Sequence, residues 1–169
     1  MTWLPFELHP EAPPEGVPRE RYFGRERSER MSSHMRSIAE SVGLKMMTRD
    51  VIINSRRALS AAEFAREHGR FDAMHHALFQ AHWEGTGKLE DVDDLVRIGD
   101  GVGLDGAALR EAVETNRYAE VIDENRRMAS SAGIDAIPAH VFARRFLVLG
   151  AQPYDALKQV VEHIGAMPE

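Results

Sequence analysis

Eight histidines, two adjacent serines and an isolated Ile137-Pro138 step are the residues of this chain whose types could support chemistry. His68, Asp72, His75 and His76 follow one another at intervals of four, three and one, and His82 lies seven positions beyond His75. In a helix His68, Asp72 and either His75 or His76 would share a face. Three such ligands could hold zinc. Gly69 interrupts that spacing and no His-Glu-x-x-His motif occurs, so surface and helix-terminal histidines are expected and no metal. Ser130 and Ser131 lack the nucleophile-elbow pattern and read as the end of a helix. Glu90, Asp91, Asp93 and Asp94 read as a helix cap that complements the dipole, because the regular oxygen spacing of a calcium loop is missing. Arg144 and Arg145 could bind an anion, or stand as exposed charges at a hairpin tip.

The sharpest exclusion comes from sulfur. The 169 residues include no cysteine. Disulfide exchange, thiolate catalysis and Cys-ligated zinc are therefore closed to this polypeptide acting alone. With 21 Lys and Arg against 27 Asp and Glu the net charge is −6, so there is no basic excess to neutralise phosphates and no nucleic acid is expected as a partner. No apolar run of about 18 residues spans a membrane. Met1 to Pro5 lack the basic start and apolar stretch of a signal peptide, and a cytoplasmic protein is expected.

Leu4, Phe6 and Leu8 alternate as in a short strand, with Pro5 placing it at an edge. The segment His9 to Pro18, with prolines at 10, 13, 14 and 18, reads as a connector without a regular ladder. A succession of helices follows. Ser28 can cap the first, whose apolar face is Met31, Met35, Ile38 and Val42, and Gly43 stops it. Asp50 to Ile53 is a short apolar patch, and Asn54 can cap a helix over Ser55 to His68. Phe71, Met74, Leu78 and Phe79 mark the next, which ends near Gly85. Asp91 and Asp105 open two more, and a last one runs from about Asn116 to Ala132 with Tyr118, Val121, Ile122, Met128 and Ala129 inward. His140 to Ala143 and Phe146 to Leu149 then form a β-hairpin, although the turn lacks Asn-Gly or Asp-Gly. Pro153 opens a closing helix through Tyr154, Leu157, Val160, Val161 and Ile164. The methionines at 31, 35, 46, 47, 74 and 128 are expected as core filler, and Trp3 and Trp83 as packing residues.

One strand, a helical block, a proline-led hairpin and a final helix resemble a thioredoxin fold with the all-helical insertion of the DsbA family. The stretches TWLPFELHPEAPPEGVP at Thr2 to Pro18, Asn54 to Gly69 followed by FDAMHHALFQAHWEGTGKLEDVDDL at Phe71 to Leu95, SAGIDAIPAHVF at Ser131 to Phe142 and LGAQPYDAL at Leu149 to Leu157 are similar to its FrnE-like branch of thiol–disulfide oxidoreductases. The resemblance spans the whole chain. It implies an α/β fold in one domain over residues 1–169: a strand and connector over 1–18, a helical insertion over 19–132, and a cis-proline loop, hairpin and helix over 133–169. It also implies that the first β-α unit of the family, which carries the Cys-x-x-Cys site, is missing ahead of Thr2. By that resemblance Ile137-Pro138 is a cis step and Ile137 offers its backbone to an extended substrate; His140 is a candidate substrate contact from its position two residues after the proline. Ala139 and His140 replace the Thr and aromatic residue frequent there in the family.

Without a first strand, the edges of Thr2 to Leu8 and His140 to Ala143 would flank an empty slot. Each buried unpaired backbone group costs about 1–3 kcal/mol, against a typical stability of about 5–15 kcal/mol. Three functions follow as expectations. The chain is a DsbA/FrnE-like protein, truncated and without redox activity of its own. Alternatively it is a cysteine-free binding or structural module that takes an extended peptide or small molecule near Pro138, completed by a strand-donating partner or a homodimer. In the third, it is a relative of the glutathione-dependent 2-hydroxychromene-2-carboxylate isomerases. No cofactor is expected for the chain itself.

Overall fold

The computed structural model describes residues 1–166, which form two compact units that divide within one helix, between Asn125 and Arg126. In the first unit, β1 (Val17–Pro18), α1 (Arg19–Phe23) and α2 (Arg25–Ser41) precede β2 (Val51–Ile52), followed by α3 (Arg56–Glu67), α4 (Phe71–Glu84), α5 (Val92–Gly101) and α6 (Gly106–Glu114). Helix α7 (Ala119–Ser131) carries the boundary. The second unit continues with β3 (Ala139–Phe142), β4 (Phe146–Leu149) and α8 (Tyr154–Gly165).

The core of the first unit is built on α3, whose Ala58, Ala61, Ala62 and Ala65 let α4, α5 and α6 approach closely around Phe64. Met74, Leu78, Leu95, Ile98, Leu109 and Val113 fill the space around it. The local signals agree with this packing. Asp91 accepts the backbone N–H groups of Asp93 and Asp94, and Asp105 accepts those of Ala107 and Ala108, so both helices start where an aspartate satisfies orphan donors. Asn54 Oδ1 accepts from the Arg56 backbone N–H at 3.0 Å, and its amide donates to the Ala12 carbonyl at 2.7 Å, joining the start of α3 to the N-terminal segment. Gly85 ends α4 in the left-handed region, and a Cβ there would overlap the Met47 sulfur.

Several expectations are corrected. Thr2 to Leu8 is not a strand. Pro5 and Glu7 turn inward while Leu4 and Leu8 stay exposed, because Arg56 on α3 draws the Glu7 carboxylate in and Arg66 donates to the Trp3 carbonyl at 2.8 Å. The segment is fixed by helix arginines instead of by a ladder. Second, the proline-rich connector does pair: Val17 and Pro18 lie antiparallel to Ile52 and Val51, which uses the apolar patch at Asp50 to Ile53. Third, Met31, Met35, Ile38 and Val42 do not face the core; α2 buries only Ser32 and Ala39. Of the methionines, Met74 is buried core, whereas Met31, Met35, Met47 and Met128 are exposed. On α7 only Ile122 is buried, and Val121 and Met128 are exposed.

In the second unit, β3 and β4 pair antiparallel from Ala139↔Leu149 to Phe142↔Phe146. The hairpin forms without Asn-Gly because Ala143 and Arg144 both take positive φ, 50° and 57°, the region that glycine or asparagine would occupy at less cost. Helix α8 starts after Pro153 as its sequence predicts, with Tyr154 and Val161 exposed.

Candidate functional site

The Ile137-Pro138 peptide bond is cis and leads directly into β3. The Pro138 carbonyl accepts the Gly150 N–H at 2.8 Å, which closes the open end of the hairpin, and Gln152 donates to the Leu149 carbonyl at 2.9 Å. Ile137 is 51% exposed. His140 lies opposite Val148, with its ring 6.2 Å from that of Phe142. Among the described residues β3 pairs with β4 alone. The hairpin faces differ. Phe146 and Val148 are half-buried, while Val141, Leu147 and Leu149 are exposed and apolar. Between β4 and α8 runs an open groove of about 480 Å³ lined by Phe146, Val148, Ala156 and Val160, with Arg145 and His163 as its cationic and titratable groups.

The histidines drawn together by spacing are put to other uses. His68 Nδ1 lies 2.8 Å from the Phe64 carbonyl, and its ring centroid is 4.1 Å from that of Phe64 with the planes tilted by 30°. His75 sits among Trp3, Phe71 and Phe79 at centroid distances of 4.7, 5.3 and 4.8 Å. His82 meets the edge of Trp83. Among the described residues no three His, Asp or Glu converge to hold a metal ion. Ser130 and Ser131 are exposed in the last turn of α7, where Ser130 accepts the Gly133 N–H through its carbonyl. Arg144 and Arg145 stand at the hairpin tip, with the Arg145 guanidinium 5.9 Å from the Phe146 ring.

Two features escape sequence reading. One is the ion-pair cluster in which Arg56 bonds both Glu7, at 3.0 Å, and Asp123. Asp123 foremost, and then Glu7, holds the guanidinium above its ordinary pKa. The residues lie too far apart in the chain for any motif to announce them. The other is the aromatic box around His75, where burial pushes the imidazole below its usual pKa, with Asp72 opposing and Arg66 and His76 assisting. Burial lowers His82 as well, and the nearby Arg49 acts in the same direction.

Those depressed values predict a pH dependence. A histidine that resists protonation in the folded state leaves stability complete above its unfolded value of about 6.5, and stability falls as pH drops from there through the lower folded value. The urea midpoint is therefore expected to decline between pH 7 and pH 5, before the carboxylates of Glu67 and Asp94, whose pKa values are lowered, begin to titrate. His75→Phe should flatten part of that decline. An unchanged slope in the variant would contradict the assignment.

The described helices include none long and apolar enough to cross a membrane. Comparison with known proteins places these elements in a wider setting. A family model described as DSBA-like thioredoxin domain matches residues 1–162. An uncharacterized protein of Bacillus subtilis (strain 168), YwbO, is 25% identical over 168 residues, covering 95% of this chain and 80% of that protein. The crystal structure of a probable DsbA oxidoreductase, SCO1869 from Streptomyces coelicolor, superposes with a TM-score of 0.86 at 24% identity, covering 97% of this chain and 75% of that one.

Proposed function

Because this chain belongs to the DSBA-like thioredoxin domain family, with the thioredoxin-like fold and helical insertion of that family, we propose that it is a DsbA-type protein without thiol–disulfide turnover of its own that holds an extended peptide along β3. The absence of cysteine from all 169 residues carries the first half of this reading, since no nucleophilic sulfur is present to form a mixed disulfide. The second half is supported by the two-stranded sheet of the described residues, in which β3, beginning beside Ile137 and Pro138 and bearing His140, pairs with β4 alone: an added strand would gain affinity from main-chain hydrogen bonds and selectivity from side chains. A cytoplasmic setting goes with the reading, because a cysteine-free chain gains nothing from an oxidising compartment.

Insulin reduction and the oxidation of a reduced model peptide should both stay at background with the purified protein. Turnover above background without an added thiol protein would remove the first half. Fluorescein-labelled, alkylated insulin B chain is expected to bind with a Kd in the micromolar range, about 1–100 μM. His140→Asp should weaken it several-fold, and a B chain carrying backbone N-methyl groups should bind far more weakly. Equal binding by the N-methylated chain would contradict strand addition.

A second reading is favoured by the same pairing and by the exposure of Val141, Leu147 and Leu149: a strand from a partner or from a second copy completes the sheet. A saturating dimer that blocks B-chain binding would select it.

A further inference from the structure

The hairpin gives its two tip arginines different surroundings. Ala143 and Arg144 take positive φ, and the Arg145 N–H then donates to the Phe142 carbonyl at 3.0 Å, which turns the chain into β4. Arg144 is exposed and takes no part in the groove between β4 and α8. Arg145 lines that groove, and among the described residues it has no carboxylate partner. Its guanidinium stands 5.9 Å from the Phe146 ring, and the His163 ring lies 6.2 Å from the same phenyl at an interplanar angle of 85°. One aromatic ring therefore gathers both groups at one end of the groove.

Helix α8 sorts its side chains to match. Ala156, Gln159, Val160 and His163 line the groove. At roughly 100° per residue, Asp155, Lys158 and Glu162 fall on a flank about 115° round from that face. There Lys158 and Glu162 pair with each other at 3.7 Å. Among the described residues no carboxylate lines the groove, although the chain carries 27 acidic residues against 21 basic ones. Half-buried Phe146, Val148, Ala156 and Val160 make an apolar floor, and exposed Arg145, Gln159 and His163 form a polar rim. The C-terminal end of α8 adds about half a unit of negative charge, which the full charge of Arg145 outweighs.

We propose that this groove binds a small organic acid, its aromatic or aliphatic body on the apolar floor and its carboxylate held by Arg145 and His163. An apolar floor with a few convergent polar groups is the usual make-up of a small-molecule site, and about 480 Å³ is an ordinary size for one. The guanidinium offers paired N–H donors whose geometry matches a carboxylate, and His163 can donate a ring N–H whether neutral or protonated. A cationic ligand would meet Arg145 with no counter-charge in the groove, so charge selects an acid. The groove belongs to β4 and α8, and acid binding can succeed or fail separately from peptide binding along β3.

Cinnamate and its neutral isostere cinnamamide are suitable probes for calorimetry and for proton–nitrogen correlation spectra of the full chain. Cinnamate is expected to bind with a Kd of about 0.1–1 mM, the range open to a ligand of its size in an open groove. The amide resonances that move should be those of residues 145–148 and 156–163. Cinnamamide should bind about tenfold more weakly, for want of a charge-assisted contact. Arg145→Gln should weaken cinnamate about tenfold, with circular dichroism and urea midpoint as in the wild type. Arg144→Gln removes the same charge one residue away, outside the groove, and should leave the Kd within about twofold. No resonance change up to about 5 mM cinnamate would overturn the proposal. So would changes confined to β3, equal binding of cinnamamide, or equal weakening by the two arginine substitutions. If Arg145→Gln does not fold, the comparison of cinnamate with cinnamamide on the wild-type chain decides alone.

Discussion

Arg56→Ala is expected to lower the stability of the first unit by about 3 kcal/mol, toward the lower end of the range for breaking a buried ion pair. The Glu7 carboxylate is 1% exposed and takes two hydrogen bonds from this guanidinium, at 3.3 and 3.0 Å. Removing the arginine leaves a buried anion that has lost both. The guanidinium itself is 26% exposed, which gives water a route in and keeps the loss from the upper end of the range. The same bonds position residues 1–8, so early proteolytic cleavage near Leu4 and Leu8 should accompany the fall in urea midpoint. Glu7→Leu combined with Arg56→Met should recover much of the stability, since an apolar pair of similar size carries no desolvation cost. If Arg56→Ala melts with the wild type, the cluster is not what holds the N-terminal segment on α3.

Leu109→Ala should cost about 3–4 kcal/mol, the cost of a cavity at a fully buried position. Its neighbour Gly99 makes this site informative. A Cβ built at Gly99 would overlap Leu109 Cδ2, so α5 and α6 cross at a point where only glycine admits the leucine. Gly99→Ala alone is therefore expected to cost about 1–3 kcal/mol by overpacking. The two substitutions together should cost less than their sum, because the new methyl enters the space that the leucine vacates. A coupling of about 0.5–3 kcal/mol is the expected scale for residues in contact. Strict additivity in urea denaturation would show that the crossing is not set by this pair.

The helical insertion was legible because its signals are local. Asp91 and Asp105 cap the helices they precede, Gly85 ends α4, and the apolar intervals through Phe71, Met74 and Leu78 fix a helical period. The hairpin and Pro153 could be read for the same reason. Periodicity also identified the apolar stripe of α2 correctly as a stripe, but assigned it to the wrong side, because a period reveals which residues share a face and is silent on what that face meets.

The family and the inability of this chain to supply a reactive thiol were set by residue types and their order, which need no coordinates. Tertiary structure decided the rest. It turned Leu4 and Leu8 outward by giving Glu7 an arginine 49 positions away, paired Val17 and Pro18 with Ile52 and Val51, and scattered His68, His75 and His82 among aromatic rings. Each of these outcomes depends on groups distant in sequence meeting in space, where desolvation and pairing outweigh local propensity.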